Sequence, residues 1–173
     1  KWETTQQSNI GLDVALLNNR ILFTTDFYVK QTYDMLLDRP IPASVGIPSN
    51  TATKNVGKME NRGVEFTVSS KNIVEGDLKW NTDFYLSFNK SKILSLDGGT
   101  IKVGYISDRG TVAIAKEGSP LGLFYGYISD GVDPTTGNIK YRDLDNSGTL
   151  NDADQTIIGN ANPKYIFGLT NGF

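Results

Sequence analysis

The stretch that decides the fold is Leu78-Lys79-Trp80-Asn81-Thr82-Asp83-Phe84-Tyr85-Leu86-Ser87-Phe88. Every second residue is apolar or a threonine, and these residues share one side of an extended chain: Leu78, Trp80, Thr82, Phe84, Leu86 and Phe88. The residues between them are charged or carry a polar group: Lys79, Asn81, Asp83, Tyr85 and Ser87. Because successive side chains of a strand point to opposite faces, the stretch predicts a β-strand with one apolar and one polar face.

Similar alternation recurs on both sides of this stretch. Residues 9–16 predict a first strand, and Leu17-Asn18-Asn19-Arg20 predicts a tight turn after it. The next strand runs from about Arg20 to Leu37, which is longer than the hydrocarbon core of a bilayer is thick. Further strands are predicted at residues 64–68 and 164–173. We therefore predict an all-β fold of antiparallel strands and hairpins.

Two parts of the chain lack this alternation. Pro40, Pro42, Gly46 and Pro48 interrupt it and predict a loop that reaches Lys54. The segment from Asp97 to Ser119, which contains Asp108-Arg109-Gly110, predicts only weak strands and loops.

Glycine and aromatic residues are interleaved from Pro120 onward, which predicts an irregular excursion rather than regular sheet. We expect one structural unit over residues 1–173. It is strand-rich in residues 1–96, loop-rich in residues 97–155, and has a final strand in residues 156–173.

Composition excludes several classes of function. The 17 Lys and Arg residues nearly balance the 19 Asp and Glu residues, for a formal net charge of -2, so a nucleic-acid partner is not expected. The chain has no Cys and no His, which removes disulfide frameworks, thiolate metal sites and catalytic arrangements that need either residue. No pair of acidic residues stands out from the turns and polar strand faces as a glycosidase pair, so we predict no enzyme activity.

Alternation with a period of two fits two architectures. A soluble β-sandwich would cover the apolar faces with a second sheet, and periodicity alone favours this commoner fold. An outer-membrane β-barrel would cover them with lipid, and the length of the strands and their aromatic content favour that fold. No apolar run approaches the roughly 18 residues that a membrane-spanning helix needs.

Residues 143–154 follow the register of a twelve-residue calcium loop, with Gly148 at position six. The candidate oxygen ligands are Asp143, Asp145, Ser147, Thr149, Asn151 and Asp154. Calcium is the expected ion because it takes six to eight oxygen ligands. Position twelve is Asp instead of the longer Glu, and no amphipathic helix flanks the loop. The same residues could instead form Asx-turns without a metal.

Several phrases resemble, in order, the C-terminal barrel region of the SusC/RagA-like TonB-dependent outer-membrane receptors. The N-terminal phrases are Trp2-Glu3-Thr4-Thr5, Asn9-Ile10-Gly11-Leu12-Asp13 and Asn19 through Lys30. Gly57 to Glu65 resembles the family's Gly-x-x-x-Asn-x-Gly-apolar-Glu pattern at the start of a strand. The most diagnostic phrases come last: Gly118 to Gly131, Ile139 to Asp145, and Ile158 to Tyr165. Residues 40–53 and 98–116 match no family pattern.

This resemblance implies that the chain is the C-terminal part of the barrel wall of a larger receptor, with long extracellular loops. Such a receptor lies in the outer membrane of a Gram-negative bacterium. With TonB and a SusD-like surface lipoprotein as partners, it imports oligosaccharides or peptides. We expect that an isolated fragment would form an open sheet or a sandwich. The alternative function is that of a secreted, soluble β-sandwich that binds carbohydrate or calcium.

Overall fold

The computed structural model describes residues 1–41, 43–46, 48, 51–107 and 110–173. Pro42 and the Asp108-Arg109 pair, which were assigned to loops above, lie outside these residues. The described chain forms eleven strands: β1 (Thr4–Leu16), β2 (Ile21–Pro40), β3 (Thr51–Ile73), β4 (Trp80–Leu96), β5 (Thr100–Ile106), β6 (Gly110–Lys116), β7 (Leu123–Tyr127), β8 (Ser129–Val132), β9 (Ile139–Tyr141), β10 (Gln155–Asn160) and β11 (Ile166–Gly172). Two short 3₁₀ helices lie at Ala43–Val45 and Asp152–Asp154. None of the described helices has the length and apolar character to cross a membrane.

The largest sheet, here called the wall, has the strand order β1-β2-β3-β4-β11. All its neighbouring strands are antiparallel. The first four strands follow each other along the chain, so hairpins connect them. The predicted antiparallel all-β fold is confirmed, and the wall is an open sheet.

Cross-strand register places the apolar residues of the five strands in continuous rows. One row contains Val14, Phe23, Val68, Phe84 and Leu169. The next row contains Leu12, Thr25, Phe66, Leu86 and Phe167. These rows form what is called here the apolar face, and the opposite side of the wall is the polar face. Alternation in each strand therefore becomes a property of the whole sheet.

No second sheet lies across the apolar face in the part of the chain that the structure describes. Ile10, Phe167 and Leu169 remain 75%, 60% and 62% exposed. The sandwich architecture, in which a sheet would cover this face, is therefore not the fold of this chain.

The two ends of the wall differ in their connections. At one end, here called the short-turn end, residues 17–20 join β1 to β2 and residues 74–79 join β3 to β4. The amide of Arg20 donates to the carbonyl of Leu16 at 3.1 Å and closes the first turn, as the sequence predicted. The opposite, long-loop end carries the β2–β3 connection and everything between β4 and β11.

Strand β3 is much longer than the alternation at residues 64–68 predicted. It begins at Thr51, inside the segment assigned to a loop up to Lys54, and it pairs with β2 as far as Pro40. The apolar residues of its first half, Ala52, Val56 and Met59, do not alternate with a period of two, so the sequence does not mark it as a strand. Hydrogen bonding to β2, with register shifts around Met35, holds it extended.

Residues 97–165, here called the excursion, form a second structure at the long-loop end. Strands β10, β7, β6 and β5 make a four-stranded sheet in that order, and β8 pairs with β9 in a separate hairpin. This segment is more regular than the predicted weak strands and irregular excursion. It is anchored on the wall by a small core of Ile93, Leu96, Ile101 and Ala115. Ile93 shares the face of Asn89 and Ser91, so this core lies on the polar side.

A tyrosine on β2 locks three strands together across a glycine on β3. Tyr28 is directly opposite Gly63, and Gly63 is opposite Asn89 on β4. The Tyr28 hydroxyl passes over Gly63 and donates to Asn89 Oδ1 at 3.2 Å. A Cβ atom on the buried Gly63 would lie 2.6 Å from the Tyr28 ring and 2.7 Å from the Phe88 carbonyl oxygen. Only glycine leaves room for this contact.

We expect Gly63→Ala to destabilise the wall by about 1–3 kcal/mol, because the new methyl group overlaps a ring and a backbone oxygen. The measurement is the temperature at which the full-length protein loses its compact migration on a detergent gel. Gly126→Ala is the matched control, since its Cβ would meet only the Ile158 methyl at 3.4 Å. Equal melting temperatures for the two variants would refute the proposed lock.

Candidate functional site

The excursion is held against the wall by backbone hydrogen bonds at the end of β4. The Ile93 amide donates to the Ser119 carbonyl at 2.9 Å, and the Gly118 amide donates to the Ile93 carbonyl at 2.9 Å. The Leu96 amide donates to a carboxylate oxygen of Glu117 at 3.3 Å. The chain between these contacts and β11 is therefore displayed from a fixed base.

The β8–β9 hairpin leads from this base to the acidic loop. Arg142 donates from Nε to both carboxylate oxygens of Asp130, at 3.0 and 3.2 Å, and from Nη2 to one of them. This hydrogen bond lowers the pKa of the Asp130 carboxyl, and the charge of Arg142 acts in the same direction. The Arg142 amide also donates to the Ile128 carbonyl at 2.9 Å, which fixes where the loop begins.

Three of the six predicted ligand residues come together in the acidic loop. Asp143, Asp145 and Asp154 each offer a carboxylate oxygen, and these oxygens lie within 4.8 Å of one another. Asn146 and Gly148 adopt left-handed backbone conformations, with φ of 57° and 79°, which bend the chain back over itself. A cluster of hard oxygen donors of this kind fits Ca²⁺.

Asp154 is the centre of the loop. Its side chain is fully buried and accepts hydrogen bonds from the backbone amides of Leu144 at 2.7 Å and Asn151 at 2.8 Å. The Asn151 amide is the main cause of a lowered pKa for the Asp154 carboxyl, against the opposing effect of burial. Asp154 is therefore an anion at neutral pH that ties both ends of the loop together.

The other predicted ligands already form hydrogen bonds within the loop. Asp143 accepts from the amides of Ser147 at 3.2 Å and Gly148 at 2.7 Å. The Ser147 hydroxyl donates to the Thr149 carbonyl at 3.0 Å, and so does the Asn151 side-chain amide at the same distance. These bonds are the turns that the sequence offered as an alternative to metal binding. They leave the carboxylates with further lone pairs.

Asn151 caps the 3₁₀ helix at Asp152–Asp154. Its side-chain oxygen accepts from the Ala153 amide at 2.8 Å, while Asp154 bonds back to the Asn151 amide, which makes a reciprocal capping box. A 3₁₀ helix and strand β10 follow the loop where calcium proteins of the EF-hand type have an α-helix.

The Asp145 carboxyl also has a lowered pKa. Hydrogen bonds from Ser147 are the main cause, the side chain first and then the backbone amide. Asp145 and Asp154 are thus both ionised under neutral conditions, and carboxylates are the form that binds cations.

The polar face of the wall is a second candidate site, and register alone brings its parts together. Asp26 and Glu65 are direct neighbours on β2 and β3. Asp13 accepts from Thr24 Oγ1 at 2.6 Å, and Asp83 accepts from Ser69 Oγ at 2.6 Å. The sequence places each residue on a polar strand face but does not show that the four acids share one surface.

Together, the wall and the excursion define the class of this protein. A sheet that is apolar on one face and polar on the other, with short turns at one end and a structured insertion at the other, is part of the wall of a β-barrel of the outer-membrane type.

Comparisons with known proteins agree with this class. Residues 1–170 match the family model described as TonB dependent receptor-like, beta-barrel. The chain is 37% identical to TonB-dependent receptor P3 of Formosa agariphila over 99% of its own length and 19% of that receptor. It is 31% identical to TonB-dependent receptor SusC of Bacteroides thetaiotaomicron, over 98% of this chain and 18% of SusC. The chain belongs to the TonB-dependent receptor family and lies in the β-barrel.

Solved structures show the same similarity. The chain aligns with the RagAB peptide transporter with a TM-score of 0.81 and 26% identity, over 97% of this chain and 19% of the other. It spans about a fifth of the length of the curated relatives it matches best in coverage. The predicted resemblance to SusC and RagA is confirmed.

We expect Asp154→Asn to open the acidic loop, because an amide side chain cannot accept hydrogen bonds at both of its terminal atoms. The backbone amides of Leu144 and Asn151 should then exchange with deuterium about tenfold faster or more. The matched control is Asp152→Asn, which changes an exposed carboxylate of the same 3₁₀ helix.

The hydrogen bonds to the Asp154 carboxylate also make the stability of the acidic loop depend on pH. Since the pKa of Asp154 is lower in the folded loop than in the unfolded chain, its stabilising effect is present above a pH of about 3.8 and is lost as the pH falls through the lowered value. Equal protection factors, meaning exchange rates corrected for the intrinsic pH dependence of amide exchange, in both variants and at acid pH would contradict this role.

Proposed function

We propose that this chain forms part of the wall and one surface loop of an outer-membrane receptor that imports nutrients. The observation that carries the proposal is the continuous apolar face on five adjacent strands, opposed by an acidic polar face. In this arrangement lipid covers the apolar face, and the polar face lines the lumen. Family membership is shown for this chain, and nutrient import is what we propose for the whole receptor.

The dimensions of the apolar face support its contact with lipid. From Trp80 to Lys90 strand β4 rises roughly 33 Å, or roughly 25 Å along the barrel axis at a tilt of about 40°, which matches the apolar band of such barrels. At the border of the apolar face near the short-turn end, Trp80 stacks on Phe173 with ring centroids 6.0 Å apart. The Trp80 Nε1 also donates a hydrogen bond to Asn171. An aromatic ring with a polar partner suits a membrane–water interface.

Loop lengths support one orientation. Outer-membrane barrels have short periplasmic turns and long extracellular loops. The short-turn end would therefore face the periplasm, and the excursion with its acidic loop would lie outside the cell.

We further propose that the receptor imports an oligosaccharide or a peptide, with energy from TonB and with a SusD-like lipoprotein over its extracellular loops. The structurally similar RagAB is a peptide transporter, which favours the peptide. A polar lumen with Asp13, Asp26, Glu65 and Asp83 offers many acceptors to the amides or hydroxyls of either ligand.

The test compares Leu86→Arg with Ser87→Arg in the full-length receptor. Leu86 lies in the middle of the apolar face and Ser87 beside it on the polar face. An arginine facing lipid at mid-depth costs about 2–4 kcal/mol, so we expect L86R to leave much less folded receptor in the outer membrane than S87R. Membrane fractionation and uptake of fluorescent oligopeptides and oligosaccharides give the readout.

Equal levels of the two variants would argue against lipid at the apolar face. If the unmodified receptor reached the outer membrane and neither class of ligand entered cells faster than in a strain without it, the import proposal would be wrong.

We also propose that the acidic loop binds calcium through Asp143, Asp145 and Asp154, with Ser147, Thr149 and Asn151 as further oxygen donors. The support is the set of three carboxylates within 4.8 Å, two of them with lowered pKa values. Bound calcium would hold the surface of the excursion rigid for contact with a ligand or partner.

We expect calorimetric titration of the calcium-free receptor with CaCl₂ to give a saturable heat at one site. Asp143→Asn combined with Asp145→Asn should abolish it, because the cluster loses two of its three charges. Asp133→Asn, in the exposed turn of the β8–β9 hairpin, should leave it unchanged. Absence of heat with the unmodified protein would reject calcium at this loop.

A further inference from the structure

A cleft of about 730 Å³ opens beside the part of β4 that is nearer the long-loop end. Strand β11 pairs with β4 only as far as Ser87, while β4 continues to Leu96. The chain that leads into β11, residues 160–166, runs along the gap that remains. The cleft therefore interrupts the wall between β4 and β11, at the height where the apolar band ends.

The floor of the cleft is continuous with the apolar face. Phe27, Val64 and Phe88 line it and form one cross-strand row of the wall. The Tyr165 ring lies 6.3 Å from the Phe88 ring and 6.2 Å from the Phe167 ring, so Tyr165 stands on the same side of the sheet. An apolar chain in this cleft would extend directly onto the lipid-facing surface.

Three cations surround this apolar floor. Arg62, Lys90 and Lys164 all line the cleft, and its lining contains no Asp or Glu. Each of the three is exposed, and none has an ion-pair partner among the described residues. The cleft thus combines an apolar base with a rim of positive charge, and no acidic side chain belongs to its lining.

The register makes this charge arrangement unfavourable without a bound anion. Arg62 and Lys90 are directly opposite each other on β3 and β4. Like charges at directly opposed positions of an antiparallel pair repel each other. A phosphate between them would remove this repulsion and accept charge-assisted hydrogen bonds from both side chains.

We propose that this cleft binds a phosphorylated acyl lipid of the outer leaflet, with its phosphate at Arg62, Lys90 and Lys164. One acyl chain then follows Phe27, Val64 and Phe88 along the apolar face. The inference rests on the proposed function, because it requires the apolar face to lie in an outer membrane. The charge complementarity and the position of the cleft at the border of the apolar band select a lipid over a soluble anion.

The experiment measures binding of monophosphoryl lipid A to the full-length receptor in detergent by native mass spectrometry. The combined variant Arg62→Gln, Lys90→Gln and Lys164→Gln should bind this lipid about tenfold more weakly or worse, because it loses three charged hydrogen-bond donors. A control with Lys79→Gln, Lys116→Gln and Lys140→Gln loses the same formal charge at residues outside the cleft lining and should bind like the unmodified receptor.

Parallel titrations with inorganic phosphate and with phosphatidylcholine identify what the cleft recognises. We expect neither to displace monophosphoryl lipid A at equal concentration. The inference would be overturned if the two triple variants bound monophosphoryl lipid A equally well. It would also be overturned if inorganic phosphate displaced this lipid from the unmodified receptor. Fractionation of cells reports separately on location, so a receptor that binds the lipid through these cations but is absent from the outer membrane would overturn the proposed function instead.

Discussion

The register of the antiparallel ladder is the constraint on which this structure depends. Because side chains alternate with a period of two, a slip of one residue between β3 and β4 would move Val68, Phe66 and Val64 from the apolar face to the polar one. The contact of Tyr28 with Gly63 and Asn89 adds a steric and a polar condition that only one register meets. In lipid the same ladder also satisfies the backbone amides and carbonyls, for which no water is available.

Much of the wall could be predicted from the sequence, because alternation is local. It identified β1, β2, β4 and β11 and the turn at residues 17–20. It did not show the first half of β3, where the few apolar residues follow no period of two and pairing with β2 holds the chain extended. It also missed the four-stranded sheet of the excursion, where β7 pairs with β10 across the intervening hairpin and acidic loop. Pairing between distant short strands leaves no period in the sequence.

The candidate sites, like the wall, could be predicted from the sequence only in part. The spacing of Asp143, Asp145 and Asp154 predicted a cluster, since all three lie in one loop of twelve residues. The burial of Asp154 and its bonds to Leu144 and Asn151 depend on how the loop folds back, which spacing does not show. The cationic cleft could not be found in the sequence at all, because Arg62, Lys90 and Lys164 come together only through cross-strand register and the late start of β11.

The insertion of the excursion between two neighbouring strands has a consequence for the order of folding. Trp80 and Asn171, which bond across β4 and β11, are 91 residues apart in the chain. Closing a loop of that length as free coil costs conformational entropy and slows the encounter of its ends. When the excursion sheet forms first, its contacts at Ile93 and Gly118 shorten the effective loop and bring Ile166 toward its partner strand. An excursion that folds first would therefore promote the pairing of β11 with β4. A folding defect within it would delay this pairing even if every residue of the wall were intact.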